Sequence, residues 1–235
     1  LSYNVRYKDI GLRGYKDTWE YQETLFSKLA DNKIHFTEKY TVEDDYEPGT
    51  LIIVEHPHVY TLGKHGSENN LLVDHARLRA GNAEFFRTDR GGDITYHGPG
   101  QVVGYPVFDL ERVKIGLREY IHRLEEAIIL TIRESGLSGI RVEGATGVWL
   151  GPDARGGTRK ICAIGVKASR FITMHGFAFN VNTDLSYFNY INPCGFTDRG
   201  VTSLEKELGE KQDFENTKLC VVNNLRSVFD LNWIN

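Results

Sequence analysis

Apolar and polar positions recur along this chain with two different periods, and the change from one to the other marks the elements. Trp19, Gln22, Phe26 and Leu29 stand at helical spacing after Asp17-Thr18 and predict a first helix over 15–29. Residues 40–49 are acidic and close on Pro48-Gly49, which reads as a surface loop. Residues 50–55 form an apolar run of buried-strand type, further strands are predicted at 59–62 and 101–108, and 84–88 leads into a glycine-rich stretch. The clearest helix is 117–134: Leu117, Tyr120, Ile121, Leu124, Ile128 and Ile132 make one apolar face, and Ser135-Gly136 stops it. Strands follow at 140–143, 147–150, 160–168 and 176–182, with closing helices at 202–208 and 216–229. Strands come in hairpin-like groups with helices between the groups, not in strict βαβ alternation. That order predicts an α+β fold with a mixed, mostly antiparallel sheet and flanking helices. No repeat or linker interrupts the 235 residues, so residues 1–235 are expected to form a single domain.

The densest punctuation lies in Arg90-Gly91-Gly92-Asp93-Ile94-Thr95-Tyr96-His97-Gly98-Pro99-Gly100-Gln101. Glycine admits positive φ and close approach of a ligand. Arg90 and His97 add a fixed cation and a titratable group, which a turn alone does not need. Asp93, Thr95 and His97 alternate with Ile94 and Tyr96, as in a short strand with one polar face. The stretch reads as a substrate-binding wall; a hairpin with incidental polar residues is the other reading.

Composition narrows the field. Hydrophobic residues make up 40% and charged residues 26%, enough to build a core without disulfide or metal staples. A net charge of −4 argues against general nucleic-acid binding. No apolar run reaches membrane-spanning length, and the start Leu1-Ser2-Tyr3-Asn4 lacks the layout of a secretory signal. Three widely spaced cysteines form no disulfide framework. The expectation is a cytoplasmic protein with no nucleic-acid and no membrane partner.

Cys194 sits in Asn192-Pro193-Cys194-Gly195, where proline extends the residue before it and glycine leaves the thiol uncrowded. Such a setting suits a nucleophile, because the thiolate needs access. A small buried hydrophobe is the alternative. Cys220 lies in a helical pattern and reads as filler. Cys162 shares a predicted strand face with Lys160 and Ile164, and so rivals Cys194 if Lys160 is catalytic. A lysine opening an otherwise apolar strand can stabilise a thiolate or exchange protons, although most lysines are simply solvated. His56, His58 and His65 lack metal-ligand spacing, so no metal is expected. His97 and His175 are the histidines placed nearest a ligand.

Taken together, these pieces resemble the lipoate-biosynthetic octanoyltransferases, or lipoyl(octanoyl) transferases. The resemblance is carried by His56-Pro57 with Tyr60-Thr61-Leu62-Gly63, the 90–101 stretch with Tyr105-Pro106, and Thr146-Gly147-Val148-Trp149. It continues through Lys160-Ile161-Cys162-Ala163-Ile164-Gly165, His175-Gly176-Phe177-Ala178-Phe179-Asn180 and Pro193-Cys194-Gly195. It implies one α/β domain similar to the catalytic domain of biotin and lipoate protein ligases. It also implies transfer of an octanoyl group from octanoyl-acyl carrier protein to a lysine of a lipoyl-accepting domain, such as those of 2-oxoacid dehydrogenases or the glycine-cleavage H protein. Cys194 takes the place of the acyl-thioester nucleophile and Lys160 that of its activator. Substrate-binding residues map to Arg90, Gly91, Gly92, Asp93, Ile94, Thr95, Tyr96 and His97, to Ala163, Ile164 and Gly165, and to Gly176, Phe177 and Ala178. Ile164, Phe177, Tyr96 and Ala178 are the expected walls of an acyl slot, and no cofactor is implied. An ATP-dependent lipoate or biotin ligase on the same fold, which needs no cysteine, is the principal alternative; a non-catalytic acyl- or lipoyl-domain-binding protein is another. An acidic carrier protein further calls for a local basic surface, expected at Lys64, His65, Arg87 and Arg90 and extended by Arg112, Lys114 and Arg118.

Overall fold

The structure is a computed structural model and describes residues 2–38, 46–192 and 199–234. In chain order it contains β1 (Tyr3–Leu12), α1 (Tyr15–Glu38), β2 (Gly49–Glu55), β3 (Val59–Leu62), a 3₁₀ turn (Glu68–Asn70), α2 (His75–Ala80), β4 (Glu84–Arg87), β5 (Ile94–His97) and β6 (Gln101–Val107). There follow α3 (Leu110–Val113), α4 (Leu117–Glu134), β7 (Ile140–Val142), β8 (Ala145–Leu150), β9 (Arg159–Ser169) and β10 (Ile172–Asn180). A 3₁₀ segment (Leu185–Tyr190), β11 (Gly200–Val201), α5 (Leu204–Leu208), α6 (Phe214–Phe229) and β12 (Leu231–Ile234) complete the order.

The large sheet runs β12-β1-β2-β6-β10-β9-β8-β7, with β11 added beside β9; a small sheet runs β4-β3-β5. From β2 to β7 every pairing along the large sheet is antiparallel, as the hairpin-like order predicts. Two parallel pairs, β1 with β12 and with β2, lie toward one edge, and β11 pairs parallel with β9. Strand alternation divides the central strands between two cores. Leu51, Ile53, Val102, Phe177 and Phe179 meet Leu124, Ile128 and Ile132 of α4 and Val221 and Leu225 of α6. Ile52, Val54, Val103, Tyr105 and Ala178 meet Leu25 and Leu29 of α1. Each fully buried Leu or Ile contributes roughly 1.5–3 kcal/mol, so the apolar stripe of α4 dominates the attachment of that helix.

Several elements depart from the sequence expectation, and α2, α3 and β11 are absent from it. α1 continues to Glu38 instead of ending near Leu29, because residues 30–38 hold no glycine or proline to stop it. β1 buries Val5 and leaves most of its length half or fully exposed, so it carries little strand-type alternation. β12 follows directly on α6, whose end is turned by Asp230 at φ 53°. Among the described residues, no helix is long and apolar enough to cross a membrane.

Arg159, the first residue of β9, is held in a buried ion pair. Its Nε and Nη2 lie 2.5 and 2.6 Å from the two carboxylate oxygens of Glu207, and Thr202 Oγ1 donates to Oε1 of the same carboxylate. This bidentate clamp ties β9 to α5 and holds the chain on its return from residue 199.

Candidate active site

A cavity of about 390 Å³ opens between the faces of β9 and β10, the start of α1, and β5 with the glycine-rich turn before it. Its size suits a small-molecule pocket. Its floor is two pairs of cross-strand partners, Ala163 with Ala178 and Gly165 with Gly176. The pleat turns these small residues to one face of the sheet. The turn 90–93 packs onto the far end: a Cβ on Gly165 would stand 2.8 Å from Gly91 O, so only glycine permits that approach. Gly92, at φ 86°, turns the chain there.

Of the residues singled out in the sequence, Arg90, Gly92, Asp93, Ile94, Thr95, His97, Lys160, Ala163, Ile164, Gly165, Gly176, Phe177 and Ala178 line this cavity. Gly91 does not; its N–H donates to Val166 O and fastens the turn to β9. Tyr96 does not either. Strand alternation sends it to the opposite face, where it is fully buried against Tyr60, Tyr187 and Phe188 and donates to His58 Nδ1. Cys194 lies outside the described residues.

Arg90 is buried, and its guanidinium donates to Thr61 O, Thr61 Oγ1 and Gly91 O, so it braces the turn that it belongs to. Arg87 is ion-paired with Glu68, and Arg112 sits over the Tyr46 ring. Of the basic surface expected from the sequence, Lys64 is exposed and His65 stands on the cavity wall.

The shared strand face expected for Lys160 and Cys162 is corrected by an irregularity in β9. The register against β8 shifts between Cys162, opposite Val148, and Lys160, opposite Trp149. Lys160 therefore lines the cavity, half-buried, with Nζ 3.2 Å from Thr146 O and 4.5 Å above the Trp149 ring. Cys162 is sealed in the α4/α6 core at 0% exposure, and burial pushes its thiol well above the ordinary range.

Sequence reasoning misses the polar residues at the strand ends. Gln101 opens β6 and Asn180 closes β10, each ending an otherwise apolar run. Asn180 Nδ2 donates to Thr202 O, Gln101 Nε2 donates to Asn180 Oδ1 and Tyr96 O, and His97 Nδ1 lies 2.8 Å from Gln101 Oε1. With both acceptors on its nitrogen, Gln101 can only accept from His97, so Nδ1 carries the proton and Nε2 keeps its lone pair. Tyr15 stacks on the His97 ring at 5.9 Å, and Tyr105 donates to His56 Nε2, whose Nδ1–H reaches Arg13 O.

Burial lowers His97 to about 3, helped by the nearby His56, and lowers His56 to about 4; burial also lowers His175 against the pull of Asp89. All three rings are neutral at pH 7. The unfolded chain protonates these rings near pH 6.5 while the folded chain does not, so stability falls as pH drops from about 6.5 toward 4. Urea midpoints are expected to fall already between about pH 6.5 and 5, above the carboxylate range. A His56→Gln/His97→Gln double variant should lose part of that slope. An unchanged slope would mean that these rings are not held neutral by the fold.

Lys160 is also where the chain returns from the Cys194 segment. β11 runs parallel to β9 with Val201 opposite Lys160, and Thr202 N donates to Lys160 O. On the other side of that segment, Asn192 N donates to Asn70 O.

The lipoyl protein ligase A/B catalytic domain matches residues 14–226. An octanoyltransferase of Parabacteroides distasonis is 54% identical over 226 residues, covering 96% of this chain and 97% of its own. One from Flavobacterium johnsoniae is 51% identical over 235 residues, covering 98% of each. Among solved structures, a bipartite lipoate protein ligase from Thermoplasma acidophilum superposes with a TM-score of 0.69 at 15% identity, covering 99% of this chain and 86% of that one. A lipoate-protein ligase A bound with ATP superposes at 0.64, also at 15% identity, covering 100% and 90%. At that identity the two structures speak for the fold alone.

Proposed function

Because the chain belongs to the lipoyl protein ligase A/B catalytic domain family, and within it to the octanoyltransferases, we propose that it moves octanoyl from octanoyl-acyl carrier protein to a lysine of a lipoyl-accepting domain through a Cys194 thioester. The enzyme is an acyltransferase of protein lipoylation. The observation that carries the thioester reading is the place of Lys160: on the cavity wall, paired with the strand that returns from the Cys194 segment.

In the first step the Cys194 thiolate, favoured by the nearby ammonium, attacks the thioester carbonyl carbon. The oxyanion collapses, the bond from carbon to the phosphopantetheine sulfur breaks, and that sulfur leaves as a thiolate that takes its proton from the Lys160 ammonium, so that Lys160 is a neutral amine for the next step. The acyl tail lies along the Ala163/Ala178 and Gly165/Gly176 floor against Ile94, Ile164 and Phe177. In the second step a neutral lysine amine of the acceptor attacks the Cys194 thioester, and amide formation returns the thiolate. The amine must lose a proton, and His97 at about 3 is too weak a base for that work. Lys160 is the group left to take it, while the His97 Nε2 lone pair accepts a hydrogen bond from a substrate N–H. Residues 1–235 act as one catalytic domain in this reading.

The ligase alternative activates a free acid as an adenylate, whereas a thioester donor is already activated. Octanoyl transfer from the carrier protein is therefore expected to proceed at full rate without ATP or Mg²⁺, including in EDTA after nucleotide depletion. A reaction that stalls there and resumes with ATP would place the chain with the ligases.

A further inference from the structure

We propose that Asp93 is a positioning residue for the segment that carries Cys194. The inference rests on the reading of Cys194 as the acyl carrier. Asp93 ends the glycine-rich turn, and the next two residues, Ile94 and Thr95, line the cavity. Its own carboxylate is turned elsewhere. Oδ1 accepts from Ile94 N at 2.7 Å and from Ser67 N at 3.2 Å, and Oδ2 accepts from Asn70 Nδ2 at 2.5 Å. Asn70 closes the 3₁₀ turn that Ser67 caps. Its main-chain oxygen accepts from Asn192 N at 2.8 Å. Beside that bond, Leu71 bridges antiparallel to Ile191, and Leu72 N donates to Tyr190 O.

These bonds make a continuous path: cavity wall, Asp93, Asn70, Asn192. Asn192 stands two residues before Cys194, and Pro193 between them restricts Asn192 to extended backbone. A shift of Asn70 therefore moves Asn192 directly. Asp93 thus joins the cavity wall to the residue from which the Cys194 segment sets out. A misplacement of about 1 Å in such a geometry costs on the order of a hundredfold in rate without weakening binding in proportion.

The pairing also supplies its own control. In Asp93→Asn, whichever way the new amide turns, its NH₂ faces another donor, either Asn70 Nδ2 or the N–H groups of Ser67 and Ile94. Adding Asn70→Asp lets the amide at 93 donate to a carboxylate at 70 while its oxygen still serves the two N–H groups, so the link returns with reversed polarity.

The experiment measures three quantities on the purified enzyme: single-turnover acylation by octanoyl-acyl carrier protein, the Kd of octanoyl-pantetheine amide (the thioester sulfur replaced by nitrogen), and the thermal midpoint. Asp93→Asn is expected to acylate roughly ten- to a hundredfold more slowly, with the Kd within about twofold of native. The Asp93→Asn/Asn70→Asp pair should recover to within about threefold of native. Asn70→Ala, which keeps the main-chain oxygen, should lose less and carries the test if Asp93→Asn does not fold. Native acylation in Asp93→Asn, no recovery in the pair, or a Kd that weakens in step with the rate would overturn the proposal. Peptide mapping of the same samples separates the two readings, since an acyl group found away from Cys194 defeats the thioester mechanism itself.

Discussion

Cys194→Ala is expected to abolish both acylation by octanoyl-acyl carrier protein and octanoyl transfer, a loss on the order of 10⁴-fold or more. Cys162→Ala should keep most of the activity. The contrast follows from surroundings, not from residue type. Cys162 is sealed beneath α4 and α6, where burial holds its thiol protonated, and the shift in β9 turns it away from the cavity that Lys160 faces. The Cys194 segment, by contrast, lies between Asn192, whose N–H donates to Asn70 O, and Val201, which lines the cavity opposite Lys160. Steady-state rates for the two variants check this. Strong loss in Cys162→Ala with survival of Cys194→Ala would reverse the assignment.

Lys160→Ala has the next largest expected effect. A cation favours the thiolate, so its removal raises the pH at which Cys194 is alkylated by iodoacetamide, and acylation slows by about 10²–10⁴-fold. Lys160→Arg separates its two roles. It keeps the positive charge but cannot give up its proton at working pH, so it should restore much of the alkylation profile and little of the second-step transfer. A guanidinium can still donate to the Thr146 carbonyl and lie over the Trp149 ring, so the charge stays on the cavity wall. An alkylation profile unchanged in Lys160→Ala would remove the electrostatic part of the mechanism.

The parts of this fold legible in the sequence are those where burial and period coincide. α4 is readable end to end because its apolar stripe is uninterrupted and a Ser-Gly pair stops it. β3 is readable because four buried residues stand between a proline turn and a glycine. β1 and β12 are not, because these strands toward the sheet edge bury little and alternate weakly. The site divides along similar lines. The glycine-rich wall announces itself through residues that a mere turn does not need. The roles within it stay hidden: Arg90 and Asp93 look like ligand groups in sequence, yet both are engaged with the main chain of residues 61–70. These partners, Thr61 and Ser67, lie more than twenty residues away, and no local pattern records such a distance. The Lys160/Cys162 face fails for a different reason, since an irregularity within a strand is invisible to a period-two reading. Gln101 and Asn180 carry a faint signal, each a lone amide at the end of an apolar strand, and the structure alone makes them a chain that fixes the His97 tautomer.

The most direct test of the mechanism is the intact mass of the enzyme after incubation with octanoyl-acyl carrier protein alone, followed by peptide mapping and then by addition of a lipoyl-accepting domain. The expected result is a gain of one octanoyl group without ATP, located on Cys194, that disappears as the acceptor domain gains the same mass on lysine. No adduct without ATP, or an adduct on another residue that passes to the acceptor, would contradict it.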